Sequence, residues 1–131
     1  AKLYGDEHLS SIGLRDKEYS LKKPEQAKRI VVIGDSVAFG DRVKNTEDLF
    51  SEKLEVMLNR STKQHYEVMN FAVGGYNIVQ EMEFLKAKAL PYQPDIIILA
   101  YVLNDPDDET VFKFEKRRKI LAILEKSHFL N

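Results

Sequence analysis

Four β-branched residues in a row, Ile30-Val31-Val32-Ile33, constrain this chain more than any other feature. A run that is apolar at every position, rather than every second one, suits a strand buried on both faces. Such a strand needs one layer above it and one below. Ile96 to Leu103 shares this character, and Tyr66 to Val73 reads as a further strand. Helical spacing appears in the stretches that follow each of the three. In Thr46 to Asn59, Phe50, Leu54, Met57 and Leu58 recur on one face. Glu47 and Asp48 occupy its first turn, where negative charge favours the helix dipole. In Asn77 to Leu90 the apolar face is Ile78, Met82, Leu85 and Ala89. Asn77 with Gln80 makes a capping box there, and Pro91 is the stop signal. Pro106 and Asp107 open a last helix with Val111, Phe114, Ile120, Ile123 and Leu124 facing inward.

Strand and helix in strict alternation predict an α/β fold with a parallel sheet covered by helices. Right-handed crossovers, with a reversal after the second strand, give a three-layer doubly wound sheet of flavodoxin-like order 2-1-3. Residues 29–131 are expected to form this domain. Residues 1–28 are polar and interrupted by Gly5, Gly13 and Pro24, and read as an irregular amino-terminal arm packed along its surface. The third strand, apolar throughout, reads as central in character.

At 131 residues and 44% apolar content the chain has material for one packed domain. Net charge is −1 with both signs mixed along the chain, which argues against a nucleic-acid partner. The longest basic run, Lys116-Arg117-Arg118-Lys119, reads as a solvated helix face. Without cysteine there is no disulfide, thiolate metal site or cysteine nucleophile. No run approaches the roughly 18 apolar residues of a membrane span, and no signal peptide is visible. The compartment stays open: the chain starts at Ala1 rather than Met, and removal of an upstream signal or anchor would point outside the cytoplasm.

In a doubly wound sheet the ligand crevice lies at the carboxyl ends of the strands. Gly34-Asp35-Ser36 follows the first strand, Gly74-Gly75 the second and Asn104-Asp105 the third. With neighbouring strands only ~4.8 Å apart, these distant segments are expected to converge. Acyl transfer needs a nucleophile and donors aimed at the developing oxyanion. The Ser36 hydroxyl can be the first. The backbone N–H groups of Ser36 and Gly75 and the side-chain amide of Asn104 can be the second, since glycine lets a backbone N–H approach a substrate closely.

These residues carry a resemblance. Gly34-Asp35-Ser36 resembles block I of the SGNH/GDSL hydrolase superfamily, Asn70-Phe-Ala-Val-Gly-Gly75-Tyr resembles block II, and Leu103-Asn104-Asp105 resembles the end of block III. The match covers about residues 29–105, and Ile12-Gly-Leu-Arg-Asp16 is similar to a lead-in segment of some members. The resemblance implies a serine esterase without cofactor, acting on a small acyl ester or an acylated carbohydrate. Some relatives instead transfer acetyl groups onto polysaccharides. It makes Ser36 the nucleophile and gives Gly75 and Asn104 the oxyanion role, with Asp35 and Asp105 in support. The family's serine lacks the G-x-S-x-G elbow, and Gly34-x-Ser36-x-Ala38 lacks it too. Two departures stand out. Val102 occupies the position where block III usually has glycine, and block V, the Asp-x-x-His that supplies the base, is missing. An incomplete SGNH domain is therefore expected, weak or inactive by itself, with its base on sequence after Asn131.

None of the three histidines replaces that base convincingly. His65 precedes the second strand, roughly 23 Å from the crevice end of a seven-residue strand. His128 ends the last helix, on the wrong side, and His8 lies in the arm, whose path the sequence leaves open.

Plainer roles compete for the same residues. Ser36 can be a helix N-cap, Gly74-Gly75 a tight turn, and Asn104-Asp105 a loop start. Asp35 reads as a hydrogen-bonding residue of its turn rather than a triad acid. The cluster Asp105, Asp107, Asp108 and Glu109 suits a helix cap better than a metal. Phe112, Phe114 and Phe129 read as core or partner contacts. Two other functions remain: a non-catalytic carbohydrate-binding or assembly module, and a flavodoxin-like phosphate or flavin site. Against the latter, Val37-Ala38-Phe39 offers no hydroxyls to phosphate and no P-loop lysine follows. Finally, without a neighbour the third strand would present Ile96-Ile-Ile-Leu-Ala100 as an apolar edge, open to pairing with a second copy of the chain.

Overall fold

The computed structural model describes residues 9–101. The expected last helix, Asn104 and Asp105, Val102, the basic run at 116–119, His8 and His128 lie outside the described residues. Three parallel strands form one sheet: β1 (Ala27–Gly34), β2 (His65–Asn70) and β3 (Ile96–Ala100), in the order β2-β1-β3. Ala27 pairs with His65 and Val32 with Asn70 on one side of β1, while Ile30 pairs with Ile96 and Gly34 with Ala100 on the other. The fold is therefore α/β with the expected parallel order.

β1 is buried as its sequence demands. Val31, Val32 and Ile33 are essentially inaccessible, and burying each such side chain contributes about 1.5–3 kcal/mol. Ile30, Val32 and Val68 cluster with Ala38, Ala72, Leu54 and Leu58 on one face of the sheet. On the other face Phe71 meets the rings of Phe84 and Tyr92, at 6.1 and 5.6 Å between centroids. Helices thus cover both faces, as a doubly wound sheet requires.

The elements depart from expectation in instructive ways. β1 starts two residues before Arg29, and its second residue after that start, Arg29 itself, is fully buried. The predicted helix over 46–59 is a 3₁₀ turn, Thr46–Asp48, followed by α2 (Phe50–Ser61), α1 being the short helix Ser36–Phe39. Leu49 between the two is extended and buried. Leu54 and Leu58 pack inward as expected, but Met57 is exposed, and so is Phe50, which sits on the same stripe one turn earlier but at the first residue of the helix. The predicted helix over 77–90 is α3 (Ile78–Phe84), then a π-helical turn at Leu85–Ala89 and a 3₁₀ turn at Leu90–Tyr92. Its capping box is present: Asn77 Oδ1 accepts from the Gln80 N–H and Gln80 Oε1 from the Asn77 N–H, both at 3.0 Å. Pro91 does not stop it. Proline is accommodated inside the closing 3₁₀ turn, which ends at Gln93 with φ +56°.

Among the described residues β3 lies at the sheet edge, not at its centre, and Ile96 and Leu99 are 47% and 44% exposed. An unbroken apolar run does not distinguish a central strand from an uncovered edge. The opposite edge, at β2, is sealed by side chains. The outward N–H groups of Tyr66, Val68 and Asn70 donate to Asn59, Glu55 and Asp16 at 2.7 Å each. The outward carbonyls of Tyr66 and Val68 accept from Asn59 and the Tyr19 hydroxyl. Such blocking prevents a further strand from adding there.

The arm is not a loose cover. Leu14, Arg15 and Asp16 are buried. The Arg29 guanidinium holds it down by donating to the carbonyls of Ser20 and Leu21, as well as to that of Tyr92 and to the Glu67 carboxylate.

Candidate functional site

The turn after β1 is shaped by close packing. At Gly34 a Cβ would lie 2.6 Å from the Ala38 Cβ and 3.0 Å from the Ala100 carbonyl, so only glycine lets β1, α1 and β3 meet there. Asp35 is the N-cap of α1: its carboxylate accepts from the Val37 N–H at 3.0 Å. That is the turn role its position suggested, and it displaces Ser36 from the cap to the first residue of the helix. Ser36 is half-buried, and Val37 beside it is 63% exposed. The helix closes at Gly40 in the left-handed region, φ +85°, with the Gly40 and Asp41 N–H groups both bonding the Ser36 carbonyl.

The segment after β2 runs directly alongside. β2 ends at Asn70, yet the N–H groups of Phe71 and Val73 continue the ladder to the carbonyls of Val32 and Gly34, at 2.8 and 3.1 Å. The predicted strand over 66–73 is thus continued by its hydrogen bonds. Val73 bonded to Gly34 brings the turn at Gly74-Gly75 next to the turn at Asp35-Ser36. Gly75 has φ +82° and nothing within 4 Å of where its Cβ would be. Among the described residues the Cβ direction of Gly75 is therefore open, in a conformation that L side chains resist. Tyr76, two residues on from Gly74, packs edge-on against Phe84 at 5.8 Å and anchors the far side of this turn.

β3 ends level with Gly34, through the Gly34–Ala100 pairing. Asn104 and Asp105 lie outside the described residues. His65 is at the opposite end of the sheet from Ser36: it pairs with Ala27, at the start of β1, while Ser36 follows its end. Among the described residues no histidine stands beside Ser36, and no group of three or more His, Cys, Asp or Glu is arranged to hold a metal ion.

Three polar residues whose roles the sequence reading missed support this site. Asn70 is buried, donates from Nδ2 to the Ala38 carbonyl at 3.1 Å and accepts at Oδ1 from the Ala72 N–H at 3.1 Å. The Arg15 guanidinium donates to the carbonyls of Gly40 and Val43. Asp16 accepts from the Asn70 N–H at 2.7 Å. Burial pushes the Asp16 carboxyl up to about 7, opposed by the Asn70 N–H it accepts from and helped by the hydrogen bond that the protonated carboxyl can donate to Glu52. The sequence signal was an Arg-Asp pair following Leu14 in an otherwise polar arm. Charges on an arm normally read as solvated, and only burial reveals otherwise.

Among the described residues no helix is long and apolar enough to cross a membrane. The chain matches no family model, no curated protein and no solved structure.

Proposed function

We propose that the chain is part of an SGNH/GDSL-type serine esterase, with Ser36 as nucleophile and the N–H groups of Ser36 and Gly75 as oxyanion donors. The observation that carries this reading is the Val73 N–H bonded to the Gly34 carbonyl at 3.1 Å, which sets the open Gly75 turn beside Ser36. Asn104 is the third proposed donor, with Asp105 in support. The substrate class is a small acyl ester or an acylated carbohydrate, and a second copy of the chain can pair at β3, an edge strand among the described residues. In the longest natural chain that contains these residues, Ser36→Ala is expected to lower p-nitrophenyl acetate hydrolysis by about 10³-fold or more. Equal rates in the two proteins would overturn the reading.

The placement of His65 at the opposite end of the sheet from Ser36 favours a second reading, in which the fold keeps the site and binds acylated glycan without turnover. Calorimetric titration with an acetylated oligosaccharide separates the two: saturable heat with no acetate release supports binding alone.

A further inference from the structure

Two adjacent arm residues hold α1 from two sides. Arg15 reaches the carbonyls at its carboxyl end, on Gly40 and beyond it on Val43. Asp16 reaches it through Asn70: Oδ2 accepts the Asn70 N–H at 2.7 Å, and the Asn70 side chain donates to the Ala38 carbonyl at 3.1 Å. Ala38 is two residues from Ser36 on the same short helix.

The surroundings of the Asp16 carboxyl are crowded with titratable groups. Within the arm, its Oδ1 accepts from the Lys17 N–H at 2.7 Å and the Tyr19 hydroxyl at 3.2 Å. From α2, the Glu52 carboxyl is its hydrogen-bond partner, and Glu55 holds the neighbouring Lys17 ammonium. The Lys17 ammonium is shared between Glu52 and Glu55. From β2 only backbone reaches it, through Asn70. Three carboxyl groups thus face one ammonium around a buried oxygen pair, an arrangement in which one proton is readily kept.

We propose that Asp16 is a positioning residue for the Ser36 turn, and that gain or loss of its proton, relayed through Asn70, shifts that turn. As a carboxylate, Asp16 accepts a charge-assisted bond from the Asn70 N–H. With a proton, it donates to Glu52 and the bond from Asn70 becomes a weaker, neutral one. The Asn70 side chain then holds the Ala38 carbonyl from a less constrained backbone. Burial places this exchange near neutral pH. The inference rests on the esterase reading only for the purpose of the turn; the coupling itself is independent of any activity.

The test is an NMR titration of the whole chain between about pH 5 and 9, which reads no ester hydrolysis and so succeeds or fails separately from the proposed function. The Asp16 carboxyl carbon, the Asn70 amide and the Val37, Ala38 and Phe39 amides are expected to share one midpoint. Asp16→Asn is expected to abolish the transition at residues 37–39. Glu52→Gln, which leaves Asp16 and Asn70 in place, is expected to lower all the midpoints together, and decides the matter if Asp16→Asn does not fold. Amides at 37–39 that stay flat while Asp16 titrates would overturn the proposal. So would amides that keep their transition in Asp16→Asn, or a turn midpoint that stays put when Glu52→Gln moves that of Asp16.

Discussion

The Asn70 side-chain amide donates to the Ala38 carbonyl at 3.1 Å, tying the end of β2 to the helix that begins at Ser36. Its Oδ1 accepts the Ala72 N–H, so one buried residue orders the segments after β1 and after β2 together. Asn70→Leu fills similar space but leaves that carbonyl and that N–H unpaired. Each orphaned buried group costs about 1–3 kcal/mol, so a loss of about 2–6 kcal/mol is expected in urea unfolding. A loss below 1 kcal/mol would mean that water replaces both bonds.

The Asp16 carboxyl makes stability depend on pH in an unusual direction. Its folded pKa, about 7, lies above the ordinary value of 3.8, chiefly through burial. The folded state therefore binds the proton more tightly than the unfolded one. Asp16 contributes most below pH 4, and this contribution is lost as pH rises through 7. The expected decline between pH 4 and 7 is a few kcal/mol. Asp16→Asn removes it, flattening that part of the profile in denaturant titrations run pH by pH.

The glycines of the site predict a graded series. A Cβ on Gly74 would meet no described residue within 4 Å and its φ is not positive, so Gly74→Ala is expected within about 0.5 kcal/mol of wild type. Gly75→Ala adds left-handed strain without a clash and is expected to cost about 1–2 kcal/mol. Gly40→Ala combines φ +85° with a Cβ only 2.1 Å from the Leu49 Cδ2. Overpacking adds about 1–3 kcal/mol to the strain, so it should be the most damaging of the three. Thermal unfolding of the three variants checks the order.

Arg29 is fully buried against Glu67 at 2.6 Å and holds the carbonyls of Ser20, Leu21 and Tyr92, with its guanidinium 5.7 Å from the Tyr92 ring centroid. Removing one partner of a buried ion pair costs about 3–5 kcal/mol. Arg29→Met is expected to fall in that range and to release the arm around Ser20 to proteases. Mass spectrometry of a limited digest reads the second effect directly.

Local sequence determined the alternation of elements, because each period is a property of a few neighbouring residues. Ile30-Val31-Val32-Ile33 could only be comfortable buried on both faces, and Asn77 with Gln80 satisfied the first turn of α3 from within it. The parallel order β2-β1-β3 followed from the handedness of crossovers. From these alone the turns at Ser36 and Gly75 were expected at one end of the sheet. What local pattern does not contain is the identity of partners far along the chain. That Asp16 bonds residue 70, that Arg15 bonds residues 40 and 43, and that Arg29 gathers four groups from three segments depends on which surfaces meet after the sheet forms. A charged residue looks the same in sequence whether water or a buried carbonyl receives it. Only tertiary packing removes the water, and burial then decides whether the group becomes a brace, a proton site or a solvated charge.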